Sequence, residues 1–288
     1  MNKLAKFFIA CGAVFVIGLV MFAAGFAKGG VDGLEKVAAD HDWVSAGPGA
    51  LATVELHDQE FESIESTGVM DVVIVGPDSY EKIVSDYHIE MAVEPKPGTV
   101  VAVHGSNIQP PNMKVEGKTL KLNGGEENEF EGINLDFSSD SVYPAVIVFC
   151  PDQELDQIKI SSVFSDVELR DISFKQADIR LNAGDVETAN IVSQGLTIEG
   201  DSGDAEISGE LKGQTEIKLE AGDIEVETKD ALKNYTMKIK SSAGDIKIGE
   251  KEIAEETAEG YSYTSDGGKY TLLLETEMGD IEVNRIEQ

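Results

Sequence analysis

The residues best placed to do chemistry in this sequence are the aspartates of a recurring Gly-Asp pair. The pair precedes an apolar-x-apolar pattern five times, at Gly184-Asp185, Gly203-Asp204, Gly222-Asp223, Gly244-Asp245 and Gly279-Asp280, and Ser165-Asp166 is a degenerate sixth copy. Asp166, Asp185, Asp204 and Asp223 are spaced by 19 residues three times running, and the next spacings are 22 and 35. Two chemistries suit such a pair. In the first, glycine supplies the positive φ or close approach of a tight corner, and the aspartate caps backbone N–H groups in an Asx-turn. In the second, aspartates stacked ~4.8 Å apart repel, and calcium bridging their oxygens offsets the repulsion. That reading makes Asp185, Asp204, Asp223 and Asp245 the candidate metal ligands. Calcium-binding β-roll repeats use Gly- and Asp-rich turns, but as nonapeptides. One Asp per 19 residues matches them poorly, so the spacing favours corner capping. No cofactor is expected, and calcium would add weak stabilisation at most.

Other chemistry is scarce. His41, His57, His88 and His104 are scattered, without HxH or HExxH spacing. Ser161, Ser162, Ser193, Ser202, Ser241 and Ser242 stand in strands or turns, none in a Gly-x-Ser-x-Gly elbow. Gly124-Gly125 and Gly267-Gly268 are turn pairs rather than phosphate loops. Cys11 and Cys150 are too far apart in character to pair, one in an apolar N-terminal run and one in the strand-like run Val146–Cys150. The chain is read as a non-enzyme. Polysaccharide processing is the enzymatic alternative, and it rests on analogy with other β-helices.

The flanks of the pair say what must position it. One residue after each Asp come Val167, Val186, Ala205, Ile224, Ile246 and Ile281; three after come Leu169, Thr188, Ile207, Val226, Ile248 and Val283. Six before come Ile160, Ile179, Ile198, Ile217, Ile239 and Leu274. Each unit therefore holds a short strand on either side of the corner, with room for a third segment such as Ile172–Phe174 or Ile191–Val192. Units this short bury no core alone. Stacked in parallel ~4.8 Å apart they bury one continuous interior. The fold class expected is all-β, a right-handed parallel β-helix or solenoid with a 19-residue Gly-Asp repeat. A sandwich of hairpins is the competing architecture. Residues 249–268 read as an insert looping out of a coil, and Leu272–Val283 as the unit that closes the stack.

Upstream the period is also 2. Val69–Val75, Ile89–Val93, Val101–Val103, Leu120–Leu122 and the continuous run Val146–Phe149 read as strands, the last buried on both faces. No helix is expected between 51 and 248; the Glu-, Ala- and Lys-rich stretch Glu250–Glu259 is the exception.

The chain has 288 residues and a formal net charge of −31. That balance excludes nucleic acid, which needs clustered Lys and Arg, and it suits a soluble surface facing outward. Phe7–Phe26 is an uncharged run of 20 residues, long enough to cross a bilayer as a helix. Lys3 and Lys6 precede it, and Asp32 and Glu35 follow. The positive-inside rule places the N-terminus in the cytoplasm and the rest outside the cell membrane. A cleaved signal peptide is the alternative, but the run exceeds the usual apolar length. The expected organisation is 1–28 tail and single-pass anchor, 29–50 juxtamembrane linker carrying Trp43, 51–160 a first β region, and 161–288 the repeats.

The order of segments resembles a known family. FESIESTGVMDVVIV at 61–75, YPAVIVFCPDQELDQIKISS at 143–162 and the Gly-Asp-apolar-x-apolar units together resemble a bacterial adhesin-like β-solenoid family of unknown function, the head-GIN domain relatives. The resemblance covers roughly residues 55–288. It implies a β-helix-like ectodomain on a bacterial cell envelope, acting as an adhesin or surface binding and scaffold module for a ligand still unknown. An envelope sensor or regulator working through a membrane partner protein is the second reading.

Overall fold

The computed structural model describes residues 51–87, 89, 94–105, 109–125, 144–253, 256–257 and 260–286. The expected anchor, Cys11, the linker with Trp43, His41, His88, Met91 and Val93 lie outside them. Among the described residues no helix is long and apolar enough to cross a membrane.

The chain is mostly strand. The first elements are β1 (Leu51–Leu56), β2 (Ser63–Thr67), β3 (Asp71–Val75), α1 (Tyr80–Asp86), β4 (Thr99–Gly105), β5 (Asn112–Glu116), β6 (Thr119–Asn123) and β7 (Ala145–Phe149). The repeats form β8 (Leu155–Phe164), β9 (Val167–Arg170), β10 (Ser173–Ala183), β11 (Val186–Ser202), β12 (Ala205–Ala221) and β13 (Ile224–Thr228). The remainder comprises β14 (Tyr235–Ser241), β15 (Ile246–Ile248), β16 (Lys251–Ile253), β17 (Glu256–Thr257), β18 (Gly260–Ser265), β19 (Tyr270–Met278) and β20 (Ile281–Arg285).

Two ladders build the stack. The first runs β5–β6–β2–β8–β10–β11–β12–β19–β14–β18–β17, parallel from β6 to β14 and antiparallel at both ends. The second runs β1–β4–β7–β3–β9–β11–β12–β13–β20–β15–β16, parallel from β7 to β15 and again antiparallel at both ends. A hairpin sandwich would pair its strands antiparallel, and the repeats do not. Strands β8, β10, β11 and β12 also touch through a third short segment, where Ser173 pairs with Val192 and Ile191 with Gly209.

The register explains the sequence pattern. Ile160, Ile179, Ile198, Ile217, Leu274 and Ile239 stack in that order along the first ladder. Val167, Val186, Ala205, Ile224, Ile281 and Ile246 stack along the second. All twelve are buried in one core. Each buried Ile or Leu contributes about 1.5–3 kcal/mol, so the column of equivalents, rather than any one unit, carries the fold.

Two expectations about order and shape are corrected. The unit Leu272–Val283 does not close the stack: β19 and β20 lie between β12/β13 and β14/β15. The insert explains why. Instead of looping out, it returns as β16 and β18, which pair antiparallel on β15 and β14 and cover their outer edges. Capping an open edge is how stacked sheets avoid unpaired backbone, and it leaves the last strand pair an inner slot. The other end mirrors this, with β2 and β3 lying inside β6 and β7. The helix-prone composition of Glu250–Glu259 is thus overridden by edge pairing in β16 and β17.

The third correction is α1. Tyr80, Ile83, Val84 and Tyr87 fall at helical spacing behind Pro77, and they pack on Val73, Val75, Val101, Val103, Ile147 and Phe149. This second core covers the outer faces of β3, β4 and β7, and it is why every residue of Val146–Phe149 is buried.

Candidate functional site

The Gly-Asp corners form two columns. A Cβ on Gly184 would lie 2.0 Å from the Ser165 carbonyl oxygen, on Gly203 2.1 Å from that of Gly184, and on Gly222 1.9 Å from that of Gly203. The φ angles are +127°, +134° and +143°, a region that favours glycine. Gly279 and Gly244 continue the column, each against the carbonyl before it. Beside it, each aspartate Oδ1 accepts the backbone N–H of the aspartate in the next coil. Asp166 caps Asp185 at 2.6 Å, Asp185 caps Asp204 at 2.8 Å and Asp204 caps Asp223 at 2.8 Å. Asp223 then caps Asp280, and Asp280 caps Asp245, both at 2.7 Å. The carboxylates thus bind backbone between coils. Among the described residues no three His, Cys, Asp or Glu side chains gather in a metal-binding group.

Asp71 begins this column, its Oδ1 accepting the Asp166 N–H at 2.9 Å. Burial raises its carboxyl to about 7; the Asp166 N–H opposes the rise and the Asp166 charge adds to it. The sequence hint was Asp71 followed by Val72 and Ile74, but Met70 replaces the glycine. A second corner was also missed. Five residues after the aspartates stand Gly76, Asp171, Asn190 and Gly209, with Asp171 and Asn190 at φ 50° and 55°. Asn190 donates to Asp171, and Ser79 donates to the same carboxylate. Gly, Asn and Asp at this offset were the available signal, since these types tolerate the left-handed region.

Two outward features remain. On the second ladder, Glu168, Glu187, Glu206, Glu225 and Glu282 are paired in successive strands. Arg170 serves Glu168 and Glu187 at one end, and Lys247 serves Glu282 at the other. In the middle, burial and then the charges of Glu187, Glu225, Asp204 and Asp185 raise the Glu206 carboxyl. On the first ladder an open groove of about 1040 Å³ crosses the coils, lined by Arg180, Asn182, Glu199, Asp201, Lys218 and Glu220 among others. The buried Cys150 thiol is pushed well above its ordinary range by desolvation, which makes it inert. His57 sits 3.0 Å from Glu55, and His104 is buried.

The sequence profile of the family described as Toastrack DUF4097 matches residues 102–284. No curated protein matches the chain. Among solved structures, a "putative cell adhesion protein" from Clostridium sporogenes is 15% identical with a TM-score of 0.45, covering 82% of this chain and 99% of its own. A "putative adhesin" from Bacteroides fragilis is 12% identical with a TM-score of 0.41, covering 82% and 97%. A "putative lipid binding protein" from Parabacteroides distasonis is 15% identical with a TM-score of 0.29, covering 84% and 98%.

Proposed function

From the premise that the chain belongs to the Toastrack DUF4097 family, we propose that it is a non-catalytic binding or scaffold module. In this reading Phe7–Phe26 holds it in a cell membrane and the β-stack stands outside as a right-handed solenoid, the hand nearly all parallel crossovers take. The observation that carries the reading is the groove on the first ladder. It presents polar side chains from successive coils at one open face, including Arg180, Glu199 and Lys218, all on a rigid stack. Such a face suits an extended polymer rather than a small molecule, whose sites are concave and mostly apolar. The test is a panel of envelope polymers and peptides screened against the full chain in detergent. Binding that is lost in an Arg180→Ser, Lys218→Ser variant supports the reading; turnover of a polymer, or no binding across the panel, contradicts it.

A further inference from the structure

The coil formed by β19 and β20 fills a slot between two coils that precede it in the chain. β19 pairs with β12 on one side and β14 on the other, and β20 with β13 and β15. The filling coil and the coil outside it match group for group. Thr276 donates to the Gly222 carbonyl at 3.0 Å, and Ser241 donates to the Gly279 carbonyl at 2.9 Å. The N–H of Asp280 is capped by Asp223 and that of Asp245 by Asp280, both at 2.7 Å. Leu274 and Ile239 share one apolar column, and Ile281 and Ile246 the other. β14 and β15 therefore carry the hydroxyl, the N–H and the apolar residues that the edge of β12 and β13 accepts, and they are synthesised first. The coil that belongs in the slot enters between strands already able to stack.

Its connection is short. β18 and β19 run along opposite edges of β14, one antiparallel and one parallel. The chain from β18 to β19 must cross the start of β14, and only Asp266–Lys269 make the crossing. Gly267 is at φ +90°, and a Cβ on Gly268 would lie 2.1 Å from the Tyr235 carbonyl carbon. The Gly268 N–H donates to the Thr236 hydroxyl at 3.1 Å. Short, tight hinges invite exchange of the element they carry, and exchanging an identical element is a low-cost route to a dimer.

We propose that two copies of this chain pair by exchanging this coil, β19 and β20 of each filling the slot of the other with Asp266–Lys269 as the hinge. A second copy is the occupant because the slot's walls are cut to this coil's own register. The exchange keeps every contact of the slot and moves it between copies. It also makes the groove a shared site: Lys218 and Glu220 line it from one copy, Glu275 and Glu277 from the other. What the groove binds does not enter the argument, so this inference stands or falls apart from the binding-module reading.

The test uses two differently tagged full chains, co-expressed and purified together in detergent. Both carry Cys11→Ser and keep the buried Cys150. One carries Glu225→Cys and the other Glu282→Cys, positions paired across β13 and β20, ~4.8 Å apart and within disulfide reach. Under mild oxidation an interchain disulfide is expected in up to about half of the dimers, the share that random pairing makes mixed. A control mixture has Glu187→Cys in place of Glu225→Cys. The registers put residue 187 three strand steps from residue 282, ~14 Å and out of reach, so no product is expected. Four glycines inserted after Gly267 relax the crossing and should remove the interchain product. Circular dichroism melts establish that each variant folds. If the 225/282 mixture gives no interchain product while one chain carrying both cysteines closes an intrachain bond, the coil stays in its own copy and the proposal is overturned. Absence of both bonds also overturns it, because β20 would then not lie beside β13. Equal product from the 187/282 mixture overturns it as random collision.

Discussion

At Gly203 the room for a side chain ends 2.1 Å away, at the carbonyl oxygen of Gly184 in the coil beneath. Backbone cannot swing aside as a flexible side chain can, so Gly203→Ala combines a clash with a left-handed strain. It is expected to cost about 2 kcal/mol or more, read by denaturant unfolding; a loss below about 0.5 kcal/mol would mean the corner relaxes freely. Asp71 makes a pH prediction. Its folded carboxyl titrates near 7 against an ordinary value of 3.8. The native state therefore binds a proton that the unfolded chain has released. The contribution is full below about 4 and is lost as pH rises toward 7. Asp71→Asn keeps the acceptor for Asp166 and removes the titration. The native chain should lose melting temperature relative to this variant between pH 4 and pH 8, and a constant difference would contradict the raised value. The Gly-Asp corners were legible in sequence because only glycine fits a left-handed corner roofed by a carbonyl. Asp71 was not, because Met70 stands where the later corners have glycine.

At the scale of elements, the glutamate column of the second ladder stacks like charges directly opposite one another. Such neighbours cost roughly 0.2–1 kcal/mol each, and Glu206 has one on both sides, Glu187 and Glu225. Glu206→Gln is expected to stabilise the stack by that order at low salt, with the gain shrinking as ionic strength rises. No gain at low salt would place the column's charges too far apart to interact. Period-2 alternation made the strands readable, since inward and outward residues differ wherever one face is core. It failed at α1, where seven residues include the β-branched Ile83 and Val84 and sit between strands. It failed again at Lys251–Ile253 and Glu256–Thr257, whose composition favours helix but whose place at an open edge demands pairing.

Across the whole molecule, the 19-residue register gave the parallel stack but not the order of its coils. Spacings of 22 and 35 between the last aspartates say that residues intervene, and they are silent on which strand neighbours which. The order decides the groove, because Glu277 stands beside Glu220 only if β19 lies against β12. Disulfide trapping tests it most directly, with Cys11→Ser in every chain and the buried Cys150 kept. Glu225→Cys with Glu282→Cys places thiols on paired strands, ~4.8 Å apart and within disulfide reach. Glu225→Cys with Lys247→Cys places them two strands apart, ~9.6 Å, beyond reach. The account predicts rapid cross-linking of the first pair under mild oxidation and none of the second. Cross-linking of 225 with 247 and not with 282 would put the coils in chain order and contradict it.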